Sequence, residues 1–573
     1  MNRMQREKEQ HALEQLQQGH LEEAEAIYRK LMEEGDVSYT VFCNLAAICG
    51  MQGKKQEMIP LLRKAITINP NDPEVYNNLG VALKDKGDLQ AAINSYRQAL
   101  AIKPRSPQVY FKLGNALKEQ GNLQAAIDAY RQAIVINPNL LKVYGNLGIA
   151  LKSQGDFQAA IDAYHQALVI NPNSPEIYNN LGNALKEQGD LRDAINFYRQ
   201  AIDIKPDYAQ AYTNLGIALA EQGNLQAAVD TYRQALAIQP RSPEAYFNLG
   251  IALKDQGDLQ AAIDAYRQAL AINPNDPRAY NSLGIALKGQ GDLQAAIDAY
   301  RQALAIKPRY PEAYNNLGNA LKDQGNLQVA IDTYRQALVI KPHYPQAYFN
   351  LGTSLKDQGD LQAAINAYRQ ALAINSNYIS VYINLGVTLK MQGDLQAAID
   401  TYHQALAINP NLSEVHFNLS LVQLLSGDYE SGWKKYEWRF RMKDSPQLHA
   451  HPQVGQWTGS NLAPGESLIL VSEQGLGDTL QFMRYVLYLN NTGWPVALCA
   501  QTKLHDLIRA SGITTVIYSP EQVNQLTTGK WLPLLSLPGY LQVCPDHSIV
   551  NTPYIKVPEQ QVDHWRQKLA AEQ

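Results

Sequence analysis

The chain has 573 residues, too many for one hydrophobic core, so several domains or one long array are expected. Its formal net charge of only -4 offers no field for nucleic acid or an anionic membrane. The four cysteines (Cys43, Cys49, Cys499 and Cys544) make no disulfide framework, the N-terminal MNRMQREKEQHALEQLQQ has no apolar signal core, and no run of 18 apolar residues offers a membrane span, so a reducing cytoplasm is the expected compartment.

Residues 5–38 carry a degraded repeat in which Gly19, Ala24 and Tyr28 hold the phase and the first helix is polar, as expected of a solubilising cap. Residues 39–72 are a second divergent unit, and its helical pattern is expected to bury the thiols of Cys43 and Cys49. Ten regular units of 34 residues then run without insertion from Pro73 to Leu412, and a fixed period of that length predicts a stacked helical array.

The unit Pro243–Asp276, PEAYFNLGIALKDQGDLQAAIDAYRQALAINPND, serves for all ten. At 100° per residue, Ala245, Tyr246, Leu249, Gly250, Ala252, Leu253 and Gln256 fall on one packed arc of its first helix. Gly257 ends that helix, Asp258 is placed to cap the second, and Pro274 stops it. The apolar face of the second helix is Leu259, Ala262, Ile263, Tyr266, Ala269, Leu270 and Ile272. Gly250 and Ala262 are small where two helices approach.

On the arc opposite the packed face, position 6 of the unit is Asn at Asn78, Asn146, Asn180, Asn214, Asn248, Asn316, Asn350 and Asn384, with Lys112 and Ser282 as exceptions. An amide offers both donors and acceptors, so a row of them suits the backbone of an extended peptide. Position 12 is Lys in nine of ten units, including Lys254, Lys322 and Lys356, which predicts a positive stripe favouring acidic segments. Positions 2, 5 and 9 vary between copies and lie on the same arc, so side-chain reading along a groove is expected, with a merely solvated face as the alternative.

Residues 413–446 form a last divergent unit whose second helix carries Trp433, Tyr436, Trp438 and Phe440, expected to pack the end of the array onto the next domain. The stretch 447–464 has no helical period and reads as a linker; its His449 and His451 lack further ligands nearby and are not read as a metal site. From 465 the pattern is strand, helix, strand, helix, strand, with strands at 467–472, 496–499 and 514–518 and helices at 479–489 and 502–510, which predicts a parallel sheet. The apolar, Pro-broken 531–541 reads as a loop, 554–557 as a possible fourth strand, and 560–571 as a final helix. The turn Glu473-Gln474-Gly475-Leu476-Gly477-Asp478-Thr479 follows a strand and opens a helix, so Gly475, Gly477 and Thr479 could line an anion-binding turn, and Asp478 reads as a helix cap.

The pattern Tyr246, Leu249-Gly250, Ala262, Tyr266, Ala269 and Pro274 closely resembles the tetratricopeptide repeat, with Leu253 where that family often has Tyr. The fold expected is mostly α: a right-handed tetratricopeptide-repeat solenoid of about 13 helix pairs over 1–446 (regular at 73–412, divergent at 5–72 and 413–446), then one α/β Rossmann-like domain over 465–573. The asparagine row resembles the ladder inside the superhelix of protein O-GlcNAc transferases, and EQGLGDTLQFMRY with PLLSLP at 533–538 resembles the N-terminal half of a GT-B glycosyltransferase. The Gly477-Asp478 pair is similar to the Gly-Asp turn of heptosyltransferases, and that resemblance implies a general-base role for Asp478. It also implies a nucleotide sugar as donor substrate, no resident cofactor or metal, and a second, donor-binding lobe that the roughly 110 residues after the linker are too few to supply. The function expected is a scaffold that holds extended polypeptide and carries a glycosyltransferase-like domain; the alternative is a pure interaction scaffold.

Overall fold

The structure, a computed structural model, describes residues 3–35, 38–473, 475–544, 553–557 and 559–571. Among the described residues, 26 α-helices follow one another in pairs from Arg3 to Tyr436, and a small parallel sheet lies beyond them. The chain divides into two compact units, Met1–Gly291 and Asp292–Gln573.

The regular repeat folds as its residues dictate. Pro243 opens the first helix, Pro243–Gln256, where its missing N–H costs nothing. Gly257 closes it at φ +90°, a region cheap only for glycine. The Asp258 carboxylate then accepts the Ala261 N–H at 3.1 Å and caps the second helix, Leu259–Ile272. Ala245, Leu249, Ala252, Leu253, Ala262, Ile263, Tyr266, Ala269 and Leu270 are buried. Gly250 is fixed by packing: a Cβ there would lie 2.6 Å from Cε1 of Tyr266, and the same tyrosine–glycine contact recurs in neighbouring units. Two residues depart from the expected packed arc. Tyr246 is only half-buried, and Gln256 is exposed, where its amide donates to Gln226 of the preceding repeat at 3.2 Å.

Within each unit, the first helix of one repeat also reaches the first helix of the next, as Leu141–Gln154 does Pro175–Gln188 and Pro311–Asp323 does Pro345–Gln358. Inside each unit, successive first helices therefore share one face. At the N-terminus the helix Arg3–Gln17 buries only Gln5 and Ala12, as a polar cap should. Cys49 is buried but Cys43 is only half-buried, and all four cysteines are free thiols.

In the second unit, strands β1 (Leu468–Val471), β2 (Val496–Cys499), β3 (Val516–Tyr518) and β4 (Lys530–Pro533) form one parallel sheet in the order β3-β2-β1-β4. Strand β4 falls where the sequence predicted a loop. It is an edge strand, and Pro533 is its last residue, so the absent N–H breaks no ladder. The expected strand at 554–557 does not form. That segment lies against the sheet's helices instead, with the Tyr554 hydroxyl on the Gln481 carbonyl at 3.1 Å and the Lys556 N–H on Ser511 Oγ at 2.9 Å. The helices run Leu476–Asn491, His505–Ala510 and Glu559–Ala571. The stretch 447–464 has no regular structure but is tied to the sheet: Ala450 and Trp457 are buried, and the Trp457 N–H donates to the Trp531 carbonyl at 2.8 Å.

Candidate functional site

Asn146, Asn180, Asn214, Asn248, Asn316, Asn350 and Asn384 are half-buried at one register of successive first helices; Asn78, in the same register, is exposed. The hydrogen bonds of Asn146, Asn214, Asn350 and Asn384 follow position 5 of the preceding repeat. Where that residue is Asn, it accepts from position 6: Asn214 Nδ2 donates to Asn179 Oδ1 at 2.8 Å, Asn350 Nδ2 to Asn315 Oδ1 at 2.9 Å, and Lys112 Nζ to Asn77 Oδ1 at 3.0 Å. Where it is Phe111 or Phe349, the amide turns onto its own helix, and Asn146 and Asn384 donate to the carbonyls of Lys142 and Ser380, both at 2.9 Å. Asn77 Nδ2 donates to Asn78 Oδ1 at 3.2 Å, and Asn316 is also partnered. An amide carries two N–H donors and two acceptor lone pairs, so each keeps capacity for a further bond.

Position 9 has a separate task. The buried tyrosine of the second helix aims its hydroxyl there, and Tyr130, Tyr198 and Tyr334 donate to the side-chain oxygens of Asn115, Asn183 and Asn319 at 2.7–2.8 Å. Where position 9 is Ile149 or Val387, the hydroxyls of Tyr164 and Tyr402 are buried without a partner. Variation at position 9 therefore acts on the interior as well as the surface.

The lysine row is not the positive stripe predicted. Lys254 pairs with Asp255 at 2.9 Å and Lys84 with Glu119 at 3.0 Å, while Lys356 lies 3.8 Å from Asp357 and donates to Asn384 at 3.4 Å. Lys322 is half-buried in the last turn of its helix, beside Asp323. An acid at position 13 follows most of these lysines, so the row has mixed charge.

Beyond the array, the aromatic side chains of the last divergent unit divide their work. Trp433 Nε1 donates to the Val543 carbonyl at 3.3 Å, and Tyr436 packs on the core of the sheet. Trp438 turns back and stacks on His416 with centroids 3.9 Å apart. Between them lies an arrangement that no motif announced. Arg439 is 1% exposed and lies under the rings of Tyr436 and Phe440. Its five N–H groups go to Glu473 Oε2 at 3.3 Å, Glu473 Oε1 and Ser536 Oγ at 2.8 Å, Glu437 Oε1 at 2.7 Å and the Tyr436 carbonyl at 3.2 Å. Burial pulls the guanidinium down, but the hydrogen bonds and charge of Glu473 outweigh it and hold Arg439 above its ordinary value. Burial pushes the Glu473 carboxyl up against the pull of Arg439.

Glu473 follows β1 and opens the turn singled out in the sequence, of which Gln474 lies outside the described residues. Asp478 Oδ2 accepts the Gly475 N–H at 3.1 Å, so the carboxylate caps its own helix. Thr479 is buried, with its hydroxyl on Gln501 Oε1 at 2.8 Å, while Gly475 and Gly477 are exposed. His449 Nδ1 is 2.8 Å from the Ser472 carbonyl, and the described residues hold no group of three metal-ligating side chains. Beside the Arg439 cluster opens a cleft of about 610 Å³, walled by Tyr429, Trp433 and Tyr540 and lined by Glu430, Lys434, Glu437 and Ser536.

Tetratricopeptide-repeat families match residues 39–72, 61–94, 82–121, 114–155, 150–189 and 355–416, and the cilia and flagella-associated protein 70 C-terminal domain matches residues 175–373. The chain is a tetratricopeptide-repeat protein with many repeats. Among solved structures, MamA is 32% identical over 28% of this chain and 95% of its own, with a TM-score of 0.27. YrrB, described as a tetratricopeptide-repeat protein with an unusual peptide-binding site, is 24% identical over 33% of this chain and 96% of its own, at 0.29. The Cut9–Hcn1 hetero-tetramer of APC/C is 16% identical over 72% and 95%, at 0.36. No curated protein matches the chain. No helix among the described residues is long and apolar enough to cross a membrane.

Proposed function

We propose that the protein is an interaction scaffold that holds an extended polypeptide against the faces its first helices form inside each unit. The observation that carries this reading is the row of position-6 amides. They stand in eight of the ten regular repeats, Asn179, Asn315 or their own helix hold Asn214, Asn350, Asn146 and Asn384 in place, and an amide in one such bond keeps hydrogen-bonding capacity. Amides fixed in this way suit the regularly spaced N–H and C=O groups of an extended backbone, with residues at positions 2 and 5 supplying preference among side chains. The mixed charge of the lysine row favours ligands of no strong net charge over acidic ones. Retention of fluorescein-labelled 20-residue peptides by the intact chain, lost on Asn→Ala substitution along the row, tests it. Four unpaired thiols support a cytoplasmic setting for this work.

A second reading divides the chain into a repeat region to 446 and a Rossmann-like half of a glycosyltransferase over 465–573. It is favoured by the all-parallel order β3-β2-β1-β4, which puts the turn after β1 beside the place where the strand order reverses. In this reading a nucleotide sugar is the donor and Asp478 takes the proton of an acceptor hydroxyl. Asp478 caps its own helix through Oδ2, and that role falls to the other carboxylate oxygen. Incubation with a panel of nucleotide sugars tests the reading: turnover lost in Asp478→Asn supports it, and absence of both binding and turnover leaves the scaffold alone.

A further inference from the structure

The cleft beside Arg439 is used by neither reading. Its volume of about 610 Å³ is that of a small-ligand site. Three aromatic side chains wall it, Tyr429 and Trp433 from the helix Tyr429–Tyr436 and Tyr540 from the turn of helix Leu537–Tyr540. The hydrogen bond from Trp433 Nε1 to the Val543 carbonyl fixes the indole.

The charges that line it decide what it can accept. Among its described lining residues Glu430 and Glu437 are the acids and Lys434 is the cation. Beneath them Arg439 and Glu473 form a buried pair, and Glu437 pairs with the same guanidinium at 2.7 Å. Counting all five side chains gives three carboxylates against two cations, a net charge of -1. Arg439 is the group that would otherwise draw an anion, but its five N–H donors are all spent on protein oxygens. A phosphate entering here would meet surplus negative charge and no available guanidinium.

We propose that this cleft takes a basic side chain of a partner polypeptide, an arginine whose guanidinium stacks on the aromatic walls and pairs with Glu430 and Glu437. Aromatic faces attract cations, and a planar guanidinium stacks on rings and forks onto carboxylates in a way that a compact ammonium does not. The site is separate from the asparagine row, so peptide retention by the row can fail or succeed without deciding this point.

The test is calorimetric titration of the intact chain with acetyl-Ala-Arg-Ala-amide and with its citrulline counterpart, which keeps the shape and removes the charge. The arginine peptide binds at least about tenfold more tightly, and its affinity falls as salt rises. Glu430→Gln, at an exposed position that leaves the fold intact, weakens it about fivefold, the worth of one partly screened charge. Trp433→Ala weakens it further. Equal binding of the two peptides, binding of neither, or displacement of the arginine peptide by uridine diphosphate would each overturn the proposal.

Discussion

The guanidinium of Arg439 donates to the carboxylate of Glu473 at 2.8 Å, with 1% and 0% of the two side chains exposed. This pair joins the end of the last divergent repeat to the first turn of the sheet, and Ser536 and the Leu535 N–H close it from the far side. Removing Arg439 leaves the Glu473 charge buried and unpaired, which costs about 3–5 kcal/mol, while removing Glu473 leaves Arg439 with Glu437 alone and costs less. Glu473→Gln and Arg439→Met are therefore expected to unfold the region 430–540 at lower urea than the parent chain. The double substitution Arg439→Met with Glu473→Leu recovers most of the loss, because no charge remains stranded. Urea titration of the three variants measures it, and a double variant as unstable as the worse single one would contradict it.

Position 9 predicts a stability change of either sign. Tyr198 donates to Asn183 at 2.8 Å, whereas the Tyr164 hydroxyl faces Ile149 and has no partner. Asn183→Ile is expected to destabilise its repeat by about 1–2 kcal/mol, the cost of a buried hydroxyl left unsatisfied. Ile149→Asn is expected to stabilise its own by up to about 1 kcal/mol. Amide hydrogen exchange read repeat by repeat separates the two effects, since stability in such arrays is local.

Gly250 and Gly257 answer alanine through different physics. Gly250→Ala drives a methyl to 2.6 Å from the Tyr266 ring, an overpacked core contact expected to cost about 1–3 kcal/mol. Gly257→Ala meets no atom within 4 Å but places alanine at φ +90°, expected to cost about 1–2 kcal/mol. Adding Tyr266→Phe or a smaller Tyr266→Leu to each separates them: only the Gly250 variant is relieved by shrinking the ring to Leu.

The N-terminal repeats carry a pH signature. Lys54 and Arg29 hold Glu25 at about 2, below its ordinary 4.5. A carboxyl lowered in the folded state contributes stability that is fully present above pH 4.5 and is lost as pH falls toward 2. Protection of helix Leu21–Glu34 from exchange should therefore drop across that window in the parent chain. In Glu25→Gln it should be lower at neutral pH and flatter with acid.

Much of this was legible because repetition averages out accident. Ten copies of one pattern show that Gly257 must turn, Asp258 must cap and Leu249 must be buried. The sheet was half legible: β1 to β3 are apolar runs between turns, but β4 hides in KWLP, since a terminal proline looks like a breaker until the edge position is known. Position 9 looked like surface variation because a half-buried Asn and an Ile differ on the inside as much as on the outside. Arg439 and Glu473 were not legible at all. They lie 34 residues apart in unlike surroundings, and an isolated Arg or Glu reads as solvated until burial shows otherwise. The signal available was the aromatic bracket Tyr436-Glu437-Trp438-Arg439-Phe440, which is too apolar for an exposed helix end.

The most direct test of the central claim is the affinity of the intact chain for fluorescein-labelled 20-residue peptides, measured by anisotropy before and after Asn214, Asn248, Asn316 and Asn350 are together replaced by Ala. A backbone-holding row predicts that affinity falls at least about thirtyfold, four lost hydrogen bonds at roughly half a kcal/mol or more each, while helical circular dichroism is unchanged. Unchanged affinity with the same helicity would contradict the account, because these four amides would then be no more than solvated surface.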